Sequence, residues 1–157
     1  MGGEKSSPFF YFTPFVFLYI YSGKHIKYMA AGRYSFIIEQ GATTNINVQW
    51  NDADDNPISL EGCHARMHIR PDINSTDILL SLTSSLNPNV TCLDGLLMSG
   101  SDGLTPVQSG SIGIVISAYS SSILNFNEAY YDLEIVNGCE VTRLLEGKVR
   151  LSKNVTR

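Results

Sequence analysis

The stretch Tyr130-Tyr131-Asp132-Leu133-Glu134-Ile135-Val136-Asn137-Gly138-Cys139-Glu140-Val141-Thr142-Arg143-Leu144-Leu145 holds two β-patterned runs around an Asn-Gly dipeptide. Tyr131, Leu133 and Ile135 recur at every second residue, which puts them on one face of a strand. Val141, Arg143 and Leu145 do the same in the second run. Asn137-Gly138 favours a type I′ turn, because both central residues of that turn need positive φ. The stretch therefore reads as a β-hairpin. Gly147 is expected to bend its second strand, after which Val149 and Leu151 resume the apolar side.

The same period of two runs back toward Tyr34. Ser35 to Glu39 is rich in β-formers and closes at Gln40-Gly41. In Thr44 to Trp50, Ile46, Val48 and Trp50 face one way and Asn45, Asn47 and Gln49 the other. Asn51 to Pro57 is a turn cluster of Asp, Asn and Pro. In Cys63 to Arg70, Ala65, Met67 and Ile69 oppose His64, Arg66, His68 and Arg70, and Pro71 ends the run. Ile78–Leu82 and Leu93–Met98 are further strand candidates, and Ser99 to Gly110 reads as loop. Ser111 to Ser117 is a buried strand with Ile112, Ile114 and Ile116 on one face, and Gly113 suggests a bulge or a close neighbour. Ala118 to Leu124 has room for one helical turn. Seven to eight short strands, separated by turn signals and without a long helical pattern, predict an all-β fold. An immunoglobulin-like antiparallel β-sandwich is expected.

A chain of 157 residues argues for one domain, expected over residues 29–157. The net charge of −4 disfavours nucleic acid as the main partner, because phosphate binding needs a basic surface. Cys63, Cys92 and Cys139 are an odd number at wide spacing, so they read as reduced thiols rather than as a disulfide framework or a zinc site.

Residues 1–28 differ from the rest. They hold 9 of the 16 aromatic residues, and Pro8–Tyr21 (PFFYFTPFVFLYIY) is uncharged. Three readings compete: a signal peptide, a membrane or interface arm, or an upstream extension of a frame whose natural start is Met29. Lys24, His25 and Lys27 make a poor cleavage region, and the apolar run falls short of the ~20 residues of a spanning helix and contains Pro14. The start at Met29 is the reading taken, so residues 1–28 are set apart from the domain. Residues 29–157 then carry 8 basic and 14 acidic residues, a net 8 − 14 = −6.

Chemistry-bearing motifs are few. Asp52, Asp54 and Asn56 fit positions 1, 3 and 5 of an EF-hand loop, but Pro57 stands where glycine is needed and Cys63 where a bidentate glutamate is needed. They remain a weak Ca²⁺ candidate beside the plainer reading of a solvated hairpin turn. His64 and His68 would share a helix face, but on a strand they lie ~13 Å apart, too far to share one ion. Asp132 and Glu134, ~7 Å apart on a strand face, have a spacing that a glycosidase pair could use. Solvated-face charge is the simpler reading. No nucleophile, Walker or dinucleotide motif occurs. Asn74-Ser75-Thr76, Asn89-Val90-Thr91 and Asn154-Val155-Thr156 match the glycosylation sequon and matter only in a secretory context. No catalytic residue and no cofactor is expected.

Ile38-Glu39-Gln40-Gly41-Ala42-Thr43, Trp50-Asn51-Asp52, Asn56-Pro57-Ile58, Ala65 to Arg70, Tyr131 to Ile135 and Thr142 to Gly147 form an ordered pattern. In order and spacing it resembles small virion proteins of tailed bacteriophages, particularly myoviruses of marine cyanobacteria. It is also similar to the N-terminal β-sandwich domains of baseplate and fibre-adaptor proteins. The resemblance spans residue 34 to the end and brings no catalytic motif. It implies a virion structural or assembly protein, made in the host cytoplasm and incorporated into the particle. Its partners would be other virion proteins in an oligomeric assembly, in tail, baseplate or fibre attachment. Membrane contact would arise only through residues 1–28. A carbohydrate- or ligand-binding sandwich is the alternative, with Trp50, Tyr119, Tyr130 and Tyr131 as stacking rings, although alternation puts Trp50 and Tyr131 in the core. A carboxylate hydrolase is the least supported reading.

Overall fold

A computed structural model describes residues 15–19, 31–84, 94–100 and 103–155. The strands are β1 (Phe15–Tyr19), β2 (Gly32–Arg33), β3 (Phe36–Glu39), β4 (Thr44–Asn51), β5 (His64–Arg70), β6 (Leu80–Thr83), β7 (Gly95–Leu97), β8 (Ser111–Ile116), β9 (Glu128–Asn137) and β10 (Glu140–Ser152). One α-helical turn, α1 (Ala118–Ile123), bridges β8 and β9 as expected. A 3₁₀ turn at Val107–Ser109 interrupts the segment read as loop. Cys92 and the sequon at Asn89 lie outside the described residues, as does His25.

The strands form two sheets, ordered β1-β4-β8-β7 and β2-β10-β9-β5-β6, with β3 following β2 along the same side of β10. The fold is an all-β sandwich. Its inward residues are those that alternation selected. Ile46, Val48 and Trp50 of β4 and Ile112, Ile114 and Ile116 of β8 face Ala65, Met67 and Ile69 of β5 and Tyr131, Leu133 and Ile135 of β9, all buried in one core. Each fully buried aliphatic side chain there contributes about 1.5–3 kcal/mol relative to leaving it in water.

Three details differ from the expectation. The sandwich is mixed rather than wholly antiparallel: β2 and β3 run parallel to β10, and β1 runs parallel to β4. Alternation selects a strand's buried face but carries no information on its partner's direction. The hairpin loop is Gly138-Cys139, since Asn137 still pairs with Glu140. Positive φ occurs at Gly138 and not at Cys139. That is the pattern of a II′ rather than a I′ turn.

The third difference concerns β10. Its register slips between Arg143 and Leu145, and Leu144 and Leu145 are both buried. This bulge, not Gly147, changes the strand's facing. Arg143 therefore stands on the outer face, opposite to Leu145. Gly147 stays paired with Tyr131 and leaves room for another chain segment. A Cβ on it would come 1.9 Å from the Tyr34 carbonyl oxygen. Gly113 likewise pairs in register, with Asn47 on one side and Leu97 on the other.

Candidate functional site

The two sheets are joined along one side of the sandwich by β3 and β4. The turn from β3 to β4 passes through Gly41, at φ +80°, and carries the chain from the larger sheet to the smaller. Beside it is an open groove of about 490 Å³ lined by Tyr34, Ser35, Phe36, Ile37, Glu39, Thr43, Thr44, Asn45 and Ile46. An aromatic group supports it. Tyr34 stacks on Phe36 at 6.3 Å, and Phe36 meets Tyr131 edge-on at 5.1 Å. The Tyr131 hydroxyl donates to the Tyr34 carbonyl at 2.9 Å. Burial, together with Tyr34, pushes the Tyr131 phenol well above the usual tyrosine range. Its lining combines hydroxyls, the Asn45 amide and the Glu39 carboxylate with the apolar side chains of Phe36, Ile37 and Ile46.

The turn end of this side is tied down by Gln40. Its backbone N–H donates to Ser152, its side-chain amide donates to the Leu124 carbonyl at 2.9 Å, and its side-chain oxygen accepts from the Asn154 N–H at 3.4 Å. The Gly41 N–H donates to the Ser121 hydroxyl, which in turn donates to the Ala42 carbonyl. Helix α1 is held from its other end by Asp94. That carboxylate accepts from the Ser117 N–H at 2.6 Å and from the Ser120 hydroxyl. These bonds span from 23 to 114 positions of sequence and leave no trace in local pattern, which marks Gln40-Gly41 as a strand end but gives no sign of the bonds made by Gln40, Asp94 and Ser121.

In the smaller sheet β4 has β8 along one side and is only partly covered along the other. Part of it is occupied: β1 pairs with it in parallel from Phe15 opposite Asn47 to Tyr19 opposite Asn51. The half of β4 that begins at Thr44 lines the groove instead.

The outer face of the larger sheet holds the charged residues singled out in sequence. His64 and His68 are on β5, a strand, so they sit at alternate outward positions as the strand reading requires. Arg66 pairs with Glu134 at 2.7 Å. Arg143 lies 3.5 Å from Asp132 and 3.6 Å from Glu146, and Arg33 lies 3.4 Å from Glu146. Lys148 pairs with Glu128 at 2.7 Å, and this bond and charge hold its ammonium above the usual lysine range. Asp132 and Glu134 thus each face an arginine across the sheet, the arrangement of a solvated face. The Val141 side chain is exposed at the hairpin end.

The Asp52 loop is organised by its own hydrogen bonds. Asp52 Oδ1 accepts from the Asp54 N–H at 2.9 Å and the Asn56 N–H at 2.8 Å. The Asn56 backbone bond in particular holds the Asp52 carboxyl below its ordinary range. Asp55 takes φ +65°, and its side chain accepts from Asn51. The carboxylate that a cation would need is thus already capping the turn. Among the described residues, no group of three or more His, Cys, Asp or Glu side chains is gathered as a metal site would need.

Of the four rings considered for stacking, Trp50 and Tyr131 are buried in the core. Among the described residues, the Trp50 indole N–H has no hydrogen-bond partner. Tyr130 is half-buried on the outer face with the Lys148 ammonium 5.5 Å from its ring centre, and Tyr119 is exposed on α1. Cys63 and Cys139 are free thiols. No helix among the described residues is long and apolar enough to cross a membrane.

No family model matches the chain, and no curated protein matches it at a significant level.

Proposed function

We propose that this sandwich is a non-enzymatic assembly module that works by binding other proteins along its β3–β4 side, as a structural protein of a tailed-phage particle would. The observation that carries the reading is the edge of β4. Five of its residues are paired by a strand outside the domain's own hairpins, and a partly apolar groove continues along the remainder. Strand addition at a sheet edge supplies affinity through backbone hydrogen bonds, while the groove beside it selects side chains. The charged outer face, whose acidic and basic groups neutralise one another across the sheet, keeps the opposite surface soluble. The particle-level part of the reading rests on the resemblance in order and spacing described above.

Peptide mass spectrometry of purified phage particles from a lysate carrying the gene tests this. Peptides from residues 34–157, at a stoichiometry comparable to known tail components, are expected in the particles. Their presence in the lysate but absence from the particles would overturn the virion reading.

A further inference from the structure

Strand β1 stands apart from the other strands in how the chain reaches it. It lies parallel on β4 of the smaller sheet, yet the next strand along the chain, β2, belongs to the larger sheet beside β10. A parallel partner needs a long connection rather than a tight turn. Residues 20–43 supply it, of which 20–31 join β1 to β2 and, fully extended, reach about 40 Å. A compact domain of this size is about 36 Å across. A connection that long lets the strand lie on its own β4 or on the β4 of an adjacent copy.

The segment's chemistry favours pairing of some kind. Phe15-Val16-Phe17-Leu18-Tyr19 is uncharged and made only of β-formers, the composition that aggregates when left unpaired. Charge draws it toward an acidic domain as well, its own or that of an adjacent copy. Residues 1–28 carry Lys5, Lys24 and Lys27 against Glu4, a net 3 − 1 = +2, while residues 29–157 carry −6 by the same count. Without β1, the outer edge of β4 from Asn47 to Asn51 would present unpaired N–H and C=O groups.

We propose that β1 is an exchangeable donor strand: Phe15–Tyr19 of one copy pairs, in parallel and in the same register, with Asn47–Asn51 of a second copy. This rests on the assembly reading and specifies the partner at the β4 edge. The contact is head-to-tail, so successive copies close into a ring or grow as a filament.

Register-matched cysteines test it in the full chain, with Cys63, Cys92 and Cys139 replaced by serine. One protein carries Phe17→Cys and a second, distinguishable by mass, carries Gln49→Cys; these positions are opposite in the β1–β4 register. Mixing and mild oxidation are expected to give a covalent heterodimer, and the double variant a ladder of covalent oligomers. The neighbouring register pair Phe15→Cys and Asn47→Cys repeats the test should Gln49→Cys disturb folding. An intrachain disulfide in the double variant with no heterodimer in the mixture overturns the exchange. So does the lack of any cross-link. Light scattering on the unoxidised protein separates the two readings. Oligomers without cross-links leave assembly standing on another surface, whereas a monomer without cross-links overturns both. Phe17→Pro with Leu18→Pro, which removes N–H donors from β1, is expected to weaken self-association at least tenfold.

Discussion

The phenol of Tyr131 donates a 2.9 Å hydrogen bond to the backbone carbonyl of Tyr34, 97 positions earlier in the chain. This bond joins the middle of β9 to the link between β2 and β3, across the strand β10 that separates them. It passes over Gly147, whose missing side chain leaves the space that the Tyr34 carbonyl occupies. Three residues far apart in sequence thus fix one closure, where the first strands of the domain meet the last.

Tyr131→Phe keeps the ring and removes the donor. The Tyr34 carbonyl then loses its phenolic partner in a part-buried site, at an expected cost of about 1–2 kcal/mol. Urea unfolding checks this. An unchanged midpoint would mean that water replaces the bond freely.

Gly147→Ala should be worse, because a methyl group 1.9 Å from a backbone oxygen cannot be accommodated by a side-chain rotation. The β2–β3 link must shift, with an expected loss of about 2–3 kcal/mol. Amide exchange should speed up in Phe36–Glu39 before it does in β5. Equal protection of both strands in the variant would contradict the closure described.

Alkaline pH should act through the same phenol. The folded Tyr131 holds its proton above the ordinary tyrosine value of about 10. Its contribution to stability is therefore fully present below the unfolded value. It is lost as pH rises from there through the higher folded value, since the unfolded state then gives up the proton first. Phenolate absorbance, followed alongside unfolding, should show one tyrosine that ionises only with loss of the fold. Tyr131→Phe should remove that component.

Asp94→Ala should loosen α1 selectively. Asp94 accepts from both the Ser117 N–H and the Ser120 hydroxyl, so its removal leaves the turn's first donors unsatisfied. A cost of about 1–2 kcal/mol is expected. Exchange should rise in residues 118–123 while β9 stays protected. The Gln40 bond to Leu124 ties this turn to the β3–β4 corner, so the resonances of Gly41 should move as well.

The strands of the sandwich were legible in sequence wherever one face is wet and the other dry. Ile46-Val48-Trp50 and Ala65-Met67-Ile69 alternate with polar partners, and each set is buried as read. Beyond alternation the sequence carried less. Leu144-Leu145 breaks the period by one residue, and that bulge left Arg143 misplaced until the cross-strand register to Glu134 was known. Gly147 was expected to bend the strand, whereas it makes room for the Tyr34 carbonyl, which no local pattern connects to it. The groove was not legible, because its two walls, Tyr34–Glu39 and Thr43–Ile46, belong to different sheets that meet only after the chain turns at Gly41.

The parallel seam of β2 and β3 against β10 also governs how the domain responds to force. Gly32 lies opposite Leu145 and Glu39 opposite Ser152, so Gly32 of β2 and Ser152 of β10 stand at opposite ends of that seam, ~23 Å apart. Tension applied at Gly32 and Ser152 pulls these strands past one another along their length. The seam is loaded in shear, and its hydrogen bonds must give way together rather than peel open one at a time. Strain applied at those two points would pass along the seam from one end to the other before the strands separate.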